Sequence, residues 1–305
     1  MGRADWFVDL GWEALQAYSE HYRREIEGLL DERGLEGTDL WLSQVAWARR
    51  PDPVTIDDVR SRVPYMAVRE AERRLKCAVH HDLLEPAGRA FKLTPEGREV
   101  VDEIARLLLT AATRTGPPGS AANTAATAAI APLRDVVGAA ATAAAIPTPN
   151  LDASRKFDPG TDGPALEQWR RLMADLFAFR DDAHIAAWTV YGVTGYVWEA
   201  FSHIWGGNVW GDPVCTASEL AAKLSHRGYH EDEYEQALDR LVARGWLSAE
   251  DDVYAPSVAG AKLRAAAEEA TDELFFAPWA LTDDEQADLR LRLEALLRIL
   301  EESPA

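Results

Sequence analysis

The segment Tyr65 to His81 carries Arg69, Arg73, Arg74 and Lys76 against Glu70 and Glu72, a local balance of +2, with His80 and His81 at its end. Arg69 and Arg73 lie four residues apart and so share a face of a helix. Guanidinium groups on such a face can reach phosphate oxygens or the edges of guanine bases. Arg89 and Lys92 add positive charge a few residues later. The competing chemistry is internal: Arg73 and Arg74 can instead be solvated, or paired with Glu70 and Glu72.

A second set of residues is aromatic. Trp188, Tyr191, Tyr196, Trp198, Phe201, Trp205 and Trp210 are interrupted by Gly192, Gly195, Gly206 and Gly207. Aromatics beside small residues can line an apolar cavity, which makes Trp188, Tyr191, Trp198 and Trp205, with His184 as a polar contact, candidates to hold a small apolar or aromatic ligand. The plainer reading is that helical aromatic stripes form core or dimer interface. Nothing points to catalysis, since the sequence has no Walker-type loop, no Gly-x-Ser-x-Gly elbow and no His-Glu-x-x-His. His226 and His230 are four apart but span an expected helix break, so they need not converge on a metal. No enzyme activity, cofactor or metal is expected.

Cys77 and Cys215 are too few for a disulfide framework and fit a reducing compartment. The start, MGRADWFVDLGWEAL, carries charges where a signal peptide would be apolar, and no uncharged run approaches a membrane span. A soluble cytoplasmic protein is expected, and 305 residues suffice for two domains. Formal net charge is −19, divided as −5 over residues 1–112, 0 over 113–164 and −14 over 165–305. So acidic a chain is repelled by nucleic acid at long range, and any DNA contact must rest on a local basic face.

These residues need elements to position them. Apolar periodicity predicts one long helix from Asp5 to Arg33, ended by Gly34, and a second over 39–49. Thr55 is placed to cap a short helix reaching Arg62. Pro64 breaks it, and Tyr65 to His81 is predicted helical, with Met66, Ala67, Ala71, Leu75, Ala78 and Val79 on one buried side. Leu83 to Glu85 and Ala90 to Leu93 read as strands around a turn. Thr94 and Pro95 then open another helix, with proline where its missing N–H costs nothing. Residues 111–164 are rich in Ala, Thr, Gly and Pro and read as a linker, with a helix in its middle over 131–145. Thr282 is expected to cap a last helix whose Leu289, Leu293, Leu296, Leu297 and Leu300 serve packing or dimerisation.

The order recurs after the linker. Trp210-Gly-Asp-Pro-Val answers Pro51-Asp-Pro-Val, Thr216 opens a short helix, Tyr229 to Arg244 is the next, and a hairpin follows from Leu247. Leu84 to Gly97 and Leu247 to Gly260 both span thirteen positions, and the second copy differs by two extra residues between its two helices. Such self-similarity reads as a structural repeat. The second copy's longer helix has a balance of −3 and its wing contains Glu250-Asp251-Asp252, so phosphates would be repelled there.

Helix, helix, short helix, turn, helix, two-stranded wing, helix is the winged helix-turn-helix order. Over residues 5–110 the chain resembles MarR-type bacterial regulators, through Thr55-Ile-Asp-Asp-Val, the stretch from Leu75 ending His-Asp-Leu-Leu, and Leu93-Thr-Pro-Glu-Gly-Arg98. The second half is similar to bacterial helix-turn-helix-like proteins of unassigned activity, through Arg180-Asp-Asp-Ala-His184-Ile-Ala-Ala, Gly245-Trp-Leu and Pro278-Trp279. The first resemblance implies that Tyr65 to His81 is a recognition helix in the major groove, with Tyr65, Arg69, Arg73, Arg74 and Lys76 as its contacts. It also implies that the wing meets the backbone through Arg89 and Lys92, and that a ligand sits between such helices and the winged unit.

The expected fold is thus mainly α with small β-hairpin wings. Two winged helix-turn-helix units, 1–110 and 165–305, flank a partly helical linker at 111–164. The expected function is transcription regulation: the first unit contacts double-stranded DNA, and the acidic second unit forms a homodimer or senses a ligand. The alternative is a ligand-binding or protein-interaction scaffold that does not bind DNA. A continuous positive strip over Arg69, Arg73, Arg89 and Lys92 would separate the two.

Overall fold

The computed structural model describes residues 5–206 and 214–303; Gly207, Trp210 and the Gly-Asp-Pro that follows it lie outside the described residues. The first half contains α1 (Trp6–Ser19), α2 (Arg23–Glu32), α3 (Gly37–Arg49), α4 (Ile56–Arg62) and α5 (Val68–His80), then the hairpin β1 (Leu84–Ala87) and β2 (Ala90–Leu93), and α6 (Pro95–Thr115). Between the repeats come α7 (Ala121–Ala143), α8 (Pro149–Ser154) and α9 (Ala165–Thr189). The second half has α10 (Gly195–Trp205), α11 (Ala217–Lys223), α12 (Glu231–Ala243), the hairpin β3 (Leu247–Glu250) and β4 (Val253–Pro256), α13 (Val258–Phe276) and α14 (Asp283–Glu302). A mainly helical chain with two small antiparallel wings is what the sequence predicts.

Packing divides the chain differently from composition. One compact unit comprises Met1–Val54, Cys77–Asp182 and Leu274–Ala305, the other Thr55–Lys76 and Ala183–Glu273. These units interleave the segments 1–110, 111–164 and 165–305 expected from the sequence. The first winged helix is itself cut: its wing belongs to the first unit, while α4 and most of α5 belong with the second copy.

In the first unit the alanine-rich stretch is core, not tether. Ala122, Ala126, Ala129, Leu133, Val136, Val137 and Ala140 of α7 are buried, and α7 packs on α14. Small side chains at helical spacing make a flat face that another helix can approach closely. Pro132 lies inside α7 and cannot donate to the Ala128 carbonyl; Arg292 of α14 donates to that oxygen instead. The leucine stripe of α14, Leu289, Leu293, Leu296 and Leu300, is buried, in a helix that packs on both α1 and α7. The long helix expected over 5–33 is two. The chain turns at 20–22, which buries His21 with its Nε2 3.2 Å from the Leu300 carbonyl and lets Arg114 donate to the His21 carbonyl.

The two copies repeat in detail. Both α4 and α11 have seven residues and begin with capping boxes, Thr55 with Asp58 and Thr216 with Glu219. Both α5 and α12 have thirteen. Val54 bridges Phe91 beside the first wing, and the Cys215 carbonyl accepts the Tyr254 N–H beside the second. Each wing ends in a hydroxyl cap: Thr94 Oγ1 accepts from Gly97 N at 2.9 Å, and Ser257 Oγ from Gly260 N at 2.9 Å. A Cβ at Gly97 would overlap the Leu83 carbonyl oxygen, and one at Gly260 the Trp246 carbonyl oxygen. Both glycines are therefore required by backbone pressed against backbone.

Candidate nucleic-acid interface

The turn that starts α5 is built into the second unit. Ala67 N donates to the Arg227 carbonyl at 2.9 Å, and Met66, Ala67, Ala71 and Leu75 are buried. Gly228, at φ +78, lies so close to Glu70 that a Cβ there would overlap the Glu70 side chain. The Tyr65 hydroxyl accepts from Trp188 Nε1 at 3.3 Å. Arg227 lies over the Tyr65 ring, 5.5 Å from its centroid, and is itself forked onto the buried Glu199. Side chains that would enter a groove are thus partly enclosed by their own protein.

The cations of α5 are engaged in the same way. Arg69 Nη1 donates to Glu233 Oε1 at 3.1 Å and Nη2 to the second carboxylate oxygen, with the Tyr229 ring 5.8 Å from the guanidinium. Glu70 receives Arg73 Nε at 2.8 Å and Arg74 Nε at 2.6 Å, and Arg74 also donates to the His226 carbonyl. Lys76 pairs with Glu72 at 2.8 Å. The hydrogen bond from Arg69 holds the Glu233 carboxyl below its usual range, and that from Arg73 does the same for Glu70. Both are charged at neutral pH.

The shared cationic face expected from Arg69 and Arg73 is therefore not free. Arg69 is committed to α12, and Tyr65 and Arg74 are held within the second unit. Arg73 and Lys76 keep side-chain exposures of 62% and 68% despite their partners. Arg89 and Lys92 are exposed on the first wing, where Lys92 stands opposite Glu85 in the strand register.

The aromatic candidates converge, but on one another. Trp188 stacks on Trp198 at 6.0 Å and 13°, and Tyr191 on Trp198 at 5.7 Å and 4°; Trp188 and Trp198 are buried in the core of the second unit. Arg264, buried, has its guanidinium 5.3 Å from the Trp198 ring and 5.2 Å from that of Trp205. His184 Nδ1 lies 3.4 Å from Thr271 Oγ1 and 3.9 Å from Glu268. These contacts favour core over cavity. Arg264 carries no sequence signal, because an arginine in an alanine-rich helix reads as surface.

Two further arginines, Arg50 and Arg98, lie beside the first wing in sequence and carry little signal of their own. Arg50 is the C-cap that follows α3; it donates from Nε to the Trp47 carbonyl at 3.1 Å and lays its guanidinium 4.1 Å from the centre of the Trp47 ring. That ring stacks on Phe157 at 4.6 Å. Arg50 is exposed; partial desolvation lowers its pKa, and the charge of Arg98 lowers it further against an opposing pull from Asp102. Arg98 itself is exposed on the first turn of α6. The one available signal was its place in Leu-Thr-Pro-Glu-Gly-Arg.

A family model described as a helix-turn-helix family matches residues 50–304, and the chain belongs to that family. No curated protein and no solved structure matches it. No described helix is long and apolar enough to cross a membrane.

Proposed function

We propose that this member of a helix-turn-helix family is a DNA-binding transcriptional regulator that grips the duplex by its backbone phosphates. The first wing, with Arg89 and Lys92, makes the contact; the first turn of α5 does not read bases. The observation that carries this reading is the pairing of Arg69 with Glu233. In a helix-turn-helix the N-terminal residues of the recognition helix meet the base edges, and here that end has its guanidinium fork on a carboxylate of its own chain. Phosphate contacts position a protein without selecting sequence. In the second copy, α12 receives the start of α5, which gives an acidic winged helix a structural use.

A second reading, a protein-interaction scaffold that does not bind DNA, is favoured by the carboxylate partners of Arg69, Arg73, Arg74 and Lys76. Titration of the full chain with random-sequence duplex at several salt concentrations separates the two. The phosphate reading expects sequence-tolerant binding that weakens steeply with salt, and a smaller salt slope in the Arg89→Gln/Lys92→Gln variant. A strong sequence preference abolished by Arg69→Ala would restore base reading and overturn it, and absence of binding at low salt would leave the scaffold.

A further inference from the structure

We propose that Arg50 and Arg98 form a phosphodiester clamp at the base of the first wing, extending the surface begun by Arg89 and Lys92. The inference rests on the reading that this wing contacts DNA phosphates.

The chain from Pro51 to Val54 is fastened to β2 through the Val54–Phe91 bridge. β2 ends at Leu93, Thr94 caps α6, and Arg98 falls in the first turn of that helix. All four cations belong to one compact unit. At about 3.3 Å per residue the wing from Arg89 to Leu93 covers about 13 Å, which matches several backbone phosphates at about 3.4 Å of helix axis each.

Arg50 is preorganised. The Nε bond to the Trp47 carbonyl and the indole beneath the guanidinium fix Arg50 in place and leave its two Nη groups for an acceptor. A planar guanidinium so held loses little freedom on binding phosphate.

The chain has 51 acids for 32 Lys and Arg, so a cation without a carboxylate is against the odds. Arg98 lies between Glu96 and Glu99, yet both turn to Arg33, which also takes Glu103. Asp102 is within electrostatic range of Arg50, but among the described residues neither Arg50 nor Arg98 makes an ion pair. The charge of Arg98 is felt at Arg50, and two like charges within electrostatic range of each other favour an anion that neutralises both.

The test measures duplex affinity of the full chain against salt for wild type, Arg50→Gln, Arg98→Gln and the double variant. Arg24→Gln, an exposed cation elsewhere in the same unit, controls for lost charge. Thermal melts confirm folding, and the exposed Arg98 provides a variant that does not disturb packing. Each of Arg50→Gln and Arg98→Gln is expected to weaken binding about three- to tenfold near 0.1 M salt and to reduce the log–log salt slope by roughly one, with Arg24→Gln unchanged. Wild-type slopes in both, alongside a reduced slope in Arg89→Gln/Lys92→Gln, would overturn the clamp and leave the wing reading intact. No DNA binding by wild type would remove both. Inorganic phosphate forms the second arm: saturable binding that needs Arg50 and Arg98, with no change in the DNA slope, would assign the site to a free phosphorylated ligand and overturn the DNA clamp.

Discussion

Arg69 and Glu233, 164 residues apart, are joined by two hydrogen bonds inside one compact unit. They stand in the first turns of the corresponding helices of the two repeats, so the helix ends that would face DNA face each other.

That pair holds position more than it stabilises. The side chains are 47% and 28% exposed, so solvent screens them and an Arg69→Ala/Glu233→Gln double-mutant cycle in urea should give a coupling of about 0.5–1 kcal/mol. Because the folded Glu233 pKa is lowered, the contribution is present at neutral pH and fades as pH falls through the folded value. A coupling above about 2 kcal/mol would mean a desolvated pair.

The wing exits are the least tolerant backbone positions. Gly97→Ala and Gly260→Ala each push a methyl group into a carbonyl oxygen that belongs to main chain and cannot swing aside. Each should cost about 2–4 kcal/mol, more than helix propensity would suggest, since alanine is otherwise the better helix former. Thermal or urea unfolding reads this directly. A neutral result at either site would show that the strand-to-helix turn can open.

Local signals in the sequence predicted local structure well. Thr55, Thr94, Thr216 and Thr282 all cap helices, because a cap is decided by a residue and its neighbour three positions on. The spacing of Gly97 and Gly260 carried the repeat for the same reason. What stayed hidden depends on distant partners. Nothing near Arg69 announces Glu233, and nothing in residues 121–143 announces α14. Alanine and threonine fit a tether as well as a tightly packed helix, and only the opposing surface decides between them. The aromatic set was found by composition, but its partner Arg264 was not, because the signal for a buried arginine lies on the rings around it.

Pro132 and Arg292 should be coupled. Pro132 leaves the Ala128 carbonyl without its helical donor, and Arg292 supplies one. Arg292→Ala alone should cost about 1–2 kcal/mol, because a carbonyl facing a packed helix loses its partner. In a Pro132→Ala background the backbone N–H returns, and the same arginine substitution should cost appreciably less. Equal costs in both backgrounds, measured by urea unfolding, would show that Arg292 acts through packing or through its ion pair with Asp288.

Acid should weaken the second unit through His203. Burial, reinforced by the charges of Lys223, Arg227 and His226, pushes its pKa down to about 4, against about 6.5 in an unfolded chain. The unfolded state then binds the proton first, so stability is full above about pH 6.5 and falls as pH drops towards 4, by at most about 1.4 kcal/mol per pH unit. Asp182, in the first unit, acts with the opposite sign. Burial raises its pKa to about 6, although its carboxylate accepts the Asn150 and Leu151 N–H groups at 3.0 Å. The folded state therefore holds that proton more tightly, and its contribution is lost as pH rises from about 4 to 6. Urea unfolding at pH 7, 6, 5 and 4 should show a smaller acid loss in His203→Leu and a larger one in Asp182→Asn than in wild type. If His203→Leu followed the wild-type curve, that histidine would not be the neutral group that burial requires it to be.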